Sequence, residues 1–152
     1  MKLMRSVFEV DEEEMSRLMQ PSAGFGIDLA IKRKLWDPAC HVLVEDYAAG
    51  SVTPRYGVWA TGLHIALKGT IQVEYWSSYS MGNWVSGKFV AEPGDAYMLD
   101  KGDQIRFTVL SDIPYRHLGI LMPAHAFAAE PDDSVRPEGE VQSRKRDFGK
   151  LA

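Results

Sequence analysis

A chain of 152 residues with one cysteine and a formal net charge of -4 is long enough to fold as a single domain, burying roughly two thirds of its unfolded surface without a disulfide. Its basic residues are scattered apart from Lys32 to Lys34 and Arg144 to Arg146, which excludes a continuous phosphate-tracking face and argues against nucleic acid as a partner. Cys40 fits a reducing compartment, no leader-type apolar segment is read, and no apolar run approaches the roughly 18 residues of a membrane span, so a soluble, cytoplasmic protein is expected.

Asp11 followed by Glu12, Glu13 and Glu14 is a helix start, with a capping side chain and acids in the first turn. Met15, Leu18 and Met19 supply the apolar stripe, and the helix should end near Gln20, before Pro21. From Phe25 the pattern changes to short apolar or alternating runs broken by turn residues about every 8 to 12 positions, the signature of a β-sandwich or barrel. Strands are predicted near residues 25–35, 41–47, 57–67, 70–76, 88–92, 96–99, 104–110 and 115–122. Turns at Asp37-Pro38, Lys68-Gly69-Thr70, Pro93-Gly94-Asp95 and Lys101-Gly102-Asp103 separate them. The expected organisation is an N-terminal helix and arm over 1–24, an all-β barrel over 25–127, and a polar tail over 128–152 that is flexible or docks on a partner subunit.

Two stretches carry a more specific pattern. Gly94 to Phe107 places Gly94 and Gly102 eight residues apart, with Asp100 and Ile105 between and after them, and Ala66 to Val73 centres on Gly69. These spacings resemble the cupin superfamily over about residues 40 to 122, which implies a double-stranded β-helix, or jelly-roll barrel. In that family the second motif ends on a metal-binding histidine where this chain has Ile105. Counting back from Gly69, the first motif would put its two histidines at Tyr56 and Val58 and its glutamate at Gly62. The longer spacing moves the histidine positions to Arg55 and Gly57 without restoring a ligand. Tyr, Val, Gly and Ile do not supply the three or four N, O or S donors that a tightly held first-row metal needs, so no metal and no other cofactor is expected.

Side chains at i and i+2 share a face, so Tyr56, Val58, Ala60, Gly62, His64 and Ala66 are expected to line the interior. His64 is the first candidate catalytic group, because an imidazole with an ordinary pKa near 6.5 suits proton transfer at neutral pH. Tyr56 is the second, a phenol at a former ligand position. Arg55 could bind a carboxylate, Tyr75 and Tyr97 could aim hydroxyls into a cavity, and Ile105 and His117 complete the substrate-binding candidates. Convergence of His41, His64 and His117 would instead give a displaced metal site. His125 is expected to be exposed beyond the last strand, and Tyr75, Trp76, Tyr79 and Trp84 to form a lid or a contact surface.

The leading expectation is a metal-free enzyme that isomerises, cyclises, dehydrates or cleaves a small oxygenated or aromatic molecule by general acid–base chemistry. His64 would move the proton, and Tyr56, Tyr75 or Tyr97 would stabilise an enolate-like oxygen. A non-catalytic cupin that binds a small molecule, and a cupin oxygenase using the displaced metal site, are the alternatives. The resemblance further implies a homodimer, with the segment before Trp36 crossing to the partner.

Overall fold

In the computed structural model, which describes residues 7–79 and 83–123, one short helix lies against a barrel of antiparallel strands. Helix α1 (Glu12–Leu18) begins where Asp11 accepts hydrogen bonds at Oδ1 from the Glu13 and Glu14 amides, at 2.9 and 3.1 Å. Ten strands follow: β1 (Gln20–Pro21), β2 (Asp28–Asp37), β3 (Cys40–Tyr47), β4 (Tyr56–Gly57), β5 (Thr61–Lys68), β6 (Ile71–Tyr79), β7 (Asn83–Ala91), β8 (Ala96–Leu99), β9 (Gln104–Val109) and β10 (Tyr115–Met122). One sheet has the order β1-β2-β3-β10-β5-β8, and the other β4-β9-β6-β7. No described helix is long and apolar enough to cross a membrane.

The run read as one strand over 57–67 is in fact two. Tyr56 and Gly57 pair with β9 in the smaller sheet, whereas Thr61–Lys68 pairs with β10 and β8 in the larger one. The chain changes sheets across Val58, Trp59 and Ala60, anchored by Val58 N–H to the Asp103 carbonyl and Gly102 N–H to the Val58 carbonyl, both at 2.8 Å. Strand β7 starts at Asn83 rather than near 88, and β1 adds a two-residue edge to β2. The side chains of Tyr79 and Trp84, His125 and the tail over 128–152 lie outside the described residues.

Two apolar clusters organise the fold. Between the sheets, Tyr47, Ile71, Val73, Ile105, Phe107, Val109 and Tyr115 are buried together. On the outer side of the larger sheet, Met15 of α1 packs on Ala30, Val42, Val44 and Leu118, with Cys40 partly buried at the margin. A buried ion pair reinforces that outer layer. Arg116 donates from Nε to Asp46 Oδ1 at 2.6 Å and from Nη2 to Oδ2 at 2.7 Å, and its remaining hydrogens reach both carboxylate oxygens of Glu12 at 2.6 and 3.1 Å. Lys68 bonds Glu12 at 3.0 Å, and Lys32 pairs with Glu14. Within this single chain, α1 and β1 pack on β2, and β2 on β3.

Replacing Arg116 with Leu is expected to cost about 3–5 kcal/mol in urea unfolding, because Asp46 would remain buried without its partner. The largely exposed Glu12 is worth far less. Its hydrogen bond from Arg116, followed by that from Lys68, lowers its pKa from 4.5 to about 2. A depressed folded pKa means stabilisation present in full above 4.5 and lost as pH falls toward about 2. Protection factors of the α1 amides, corrected for intrinsic exchange, should fall over that window by more in wild type than in Glu12→Gln.

Candidate functional site

The inner face of the larger sheet is a set of aligned rows fixed by strand register. His41 of β3 stands across from Leu121 of β10, and Leu121 across from Gly62 of β5; Leu43, Gly119, His64 and Tyr97 form the next row. Glu45, His117 and Ala66 form the third, and Tyr47 and Tyr115 the fourth. His64 and His117 are thus diagonal neighbours, with ring centroids 4.8 Å apart and planes at 72°. His117 is fully buried and His64 nearly so.

The space these rings occupy is left open by two glycines. A Cβ on Gly62 would stand 2.6 Å from Leu121 Cδ2 and 3.3 Å from His64 Nε2, and one on Gly119 would meet Leu43 and the His117 ring. A side chain at Gly62 would thus have to push Leu121 aside and crowd His64. On its other side His64 stacks on Tyr97, centroids 5.2 Å apart and planes 9° apart, and the Tyr97 hydroxyl lies 3.2 Å from that of Tyr115.

Glu45 connects the group. Its Oε2 lies 3.0 Å from His117 Nε2, and the Tyr47 hydroxyl donates to the same oxygen at 3.4 Å. Neither nitrogen of His117 makes a directed hydrogen bond to a described residue, so the N–H of the close contact points off the line to the carboxylate. The 3.0 Å contact is therefore one of proximity, and it becomes an ion pair only in the state where the imidazole carries two protons. Nδ1 of His64 likewise has no partner among the described residues. Burial, reinforced by the Glu45 carboxylate, raises the pKa of Tyr47, Tyr56 and Tyr97, and that of Tyr115 to about 12. Burial first, and the neighbouring His117 second, hold the His64 pKa well below 6.5. The arrangement is therefore a neutral imidazole, a carboxylate–imidazole contact and four protonated phenols inside an apolar shell.

Not every residue expected at the site reaches it. Tyr56 does, facing inward across from Ile105 and packing on Phe25 and Phe107 at centroid distances of 4.7 and 6.2 Å. Ile105 is buried as a wall residue. Arg55 turns outward, because its neighbour Tyr56 faces in, and its guanidinium lies over Trp76 at 4.0 Å on the exterior. Tyr75 extends along the smaller sheet until its hydroxyl lies over Gly87, where a Cβ would stand only 2.5 Å from that oxygen. Tyr75 thus offers no hydroxyl to the histidine pair. His41 does not join either: it is four residues along β10 from the His117 row, about 13 Å at 3.3 Å per residue. It stacks instead on Trp36 at 3.6 Å. Glu45, Tyr47 and Tyr115 are site residues that the sequence does not single out.

The fit to a metal is poor. Tyr56, Val58, Gly62 and Ile105, the positions the resemblance marks for ligands, bring no His, Cys, Asp or Glu, and among the described residues no three such side chains are grouped to hold an ion. Clefts of about 240 Å³ at Glu74, Trp76 and Lys88, and about 170 Å³ at Leu18, Pro21 and Ile31, lie away from the histidine pair.

Two antiparallel sheets closed into a barrel, with the two motif turns at Gly69 and Gly102 in place, define a cupin fold. Solved structures bear this out. The chain is similar to KdgF from Halomonas sp. (TM-score 0.52, 15% identity, 68% of this chain and 84% of that one). It is similar to the Schizosaccharomyces pombe Cnp3 cupin domain (TM-score 0.55, 14% identity, 69% and 72%), and to a cupin-like protein of Thermotoga maritima (TM-score 0.53, 15% identity, 72% and 80%). No family model and no curated protein matches the sequence.

His64 should remain neutral where an ordinary histidine is protonated, and ¹⁵N chemical shifts followed between pH 8 and 5 will read this directly. Because the unfolded chain takes up a proton near 6.5 and the folded one does not, this residue makes stability decline as pH falls below about 6.5. Gly62→Ala is expected to cost about 1–3 kcal/mol through overpacking against Leu121, measurable as a lower urea midpoint.

Proposed function

We propose that this protein acts on a small oxygenated or aromatic organic molecule at the His64–His117 pair, by general acid–base chemistry that passes no step through a metal. The observation that carries this reading is the pair of buried imidazoles beside a carboxylate, in which His64 Nδ1 and both nitrogens of His117 lack directed partners among the described residues. Buried polar atoms of native proteins are nearly always satisfied, and although His41 Nδ1 is orphaned elsewhere, against Trp36, three orphaned nitrogens at one point are best explained by a partner bound there.

In this reading His64 is the acceptor. A neutral imidazole can take a proton from a carbon or hydroxyl, and its low basicity lets it return that proton readily. His117, held against Glu45 and edge-on to His64, offers a ring N–H as a donor at the same point. The Tyr97 and Tyr115 hydroxyls, kept protonated by burial, are donors for an oxygen that gains negative charge in the transition state. Isomerisation, dehydration and lyase chemistry next to a carbonyl all share this first proton transfer.

Exchange of substrate protons for deuterium in D₂O tests the reading whichever product the reaction forms. Hydroxy-ketones, amino-ketones, keto acids and phenols incubated with the protein should include a class whose exchange, followed by proton NMR, falls about 100-fold or more in His64→Gln. Exchange that proceeds equally in the variant would remove His64 from the mechanism, and no exchange in any class would remove the acid–base reading.

A further inference from the structure

We propose that the barrel interior takes an uncharged or cationic ring-bearing ligand and rejects carboxylates and phosphates. This narrows the preceding reading and rests on its placement of the ligand at His64 and His117.

Fixed charge is distributed unevenly between the two faces of the larger sheet. Arg116 is the one buried Lys or Arg among the described residues, and its guanidinium is engaged by Asp46 and Glu12 on the outer face, beneath α1. Arg55 lies over Trp76 outside the barrel, Arg106 pairs with Glu74 on the exterior, and the exposed Arg33 lies over Trp36 at 4.5 Å. Arg33 alone of these shares the inner face, across from Leu43 of β3, and it is exposed and turned onto Trp36, so none of these cations is paired with the histidine pair. Glu45 does face it, and its charge is felt by all four surrounding tyrosines; Asp95 adds to the field at Tyr115.

Counting protons gives the same result in either state of the pair. With one proton on His117, the Glu45–His117 pair carries a net charge of minus one, and with two it carries zero. Neither state is positive. Burial disfavours a charge on His64, so the remaining imidazole does not supply a cation for an incoming anion. An anionic ligand would have to desolvate beside a carboxylate with no counter-charge, which is the most unfavourable way to bury it.

Aromatic surface makes the opposite case for a cation or a neutral ring. Tyr97, Phe89, Tyr47 and Phe107 present π faces and edges around the pair, with Phe89 and Tyr97 centroids 5.2 Å apart and Tyr47 and Phe107 5.4 Å apart. Such faces attract ammonium groups electrostatically and stack neutral rings. A carboxylate opposite an aromatic lining is a recognition element for an amine.

Benzylamine, benzyl alcohol and benzoate share a ring and differ mainly in charge, being cationic, neutral and anionic at neutral pH. Each is titrated into the full-length protein carrying ¹³C-labelled histidine, and the His64 and His117 ring resonances are followed. Benzylamine and benzyl alcohol are expected to half-saturate at concentrations at least about tenfold below benzoate, and Glu45→Gln to bring benzoate within about threefold of benzyl alcohol. Benzoate binding as well as or better than the other two in wild type, or an unchanged ratio in Glu45→Gln, overturns the charge selectivity while leaving the interior as the ligand site. If none of the three perturbs either histidine, the interior site itself is lost, and the proposed function with it. Should Glu45→Gln not fold, the wild-type ratio decides alone.

Discussion

The register of β10 on β3 is the constraint on which the rest depends. Two adjacent residues of β10, Arg116 and His117, stand across from two adjacent residues of β3, Asp46 and Glu45. Because neighbouring side chains on a strand point to opposite faces, the Arg116–Asp46 ion pair lies beneath α1 and the Glu45–His117 contact lies inside the barrel. A slip of one residue would put the guanidinium in the aromatic interior and the imidazole under the helix, breaking both pairs at once. The same step of sequence therefore holds α1 in place and assembles the candidate site.

From that register the interior follows row by row. His64 reaches His117 diagonally across Gly119, and Gly62 leaves room beside its ring, where a Cβ would press on Leu121 and close to within 3.3 Å of His64 Nε2. The inward-facing polar side chains here are Glu45, His64 and His117, not the four positions at which the cupin resemblance would place metal ligands. A cupin fold at 14 to 15% identity establishes the architecture alone, so the chemistry rests on the side chains of this chain.

Much of this is legible in the sequence, for physical reasons that also explain the failures. Period-two alternation marks β5, where Gly62, His64 and Ala66 are buried and Thr61, Leu63 and Ile65 less so. Helix α1 follows from its cap and its acids. The sheet change after Gly57 leaves no trace, because Val58, Trp59 and Ala60 continue the apolar run through it. Strand β3 is covered by α1 outside and by the barrel inside, so Val42, Leu43 and Val44 read as one continuous apolar run in which the inward orientation of Glu45 is invisible. Tyr115 is overshadowed by the histidine two residues on. Arg55 departs from expectation because a rim arginine next to an inward tyrosine must face out, and Tyr75 because its hydroxyl position depends on Gly87 of a neighbouring strand.

The most direct measurement of the account is the pattern of nuclear Overhauser contacts among the aromatic ring protons of the folded chain. Cross-peaks between the rings of His64 and His117, and between His64 and Tyr97, are predicted, with His41 showing contacts to Trp36 and none to either of the other two histidines. Contacts from His41 to His64 or His117, or none between those two, would contradict the register and the site built upon it.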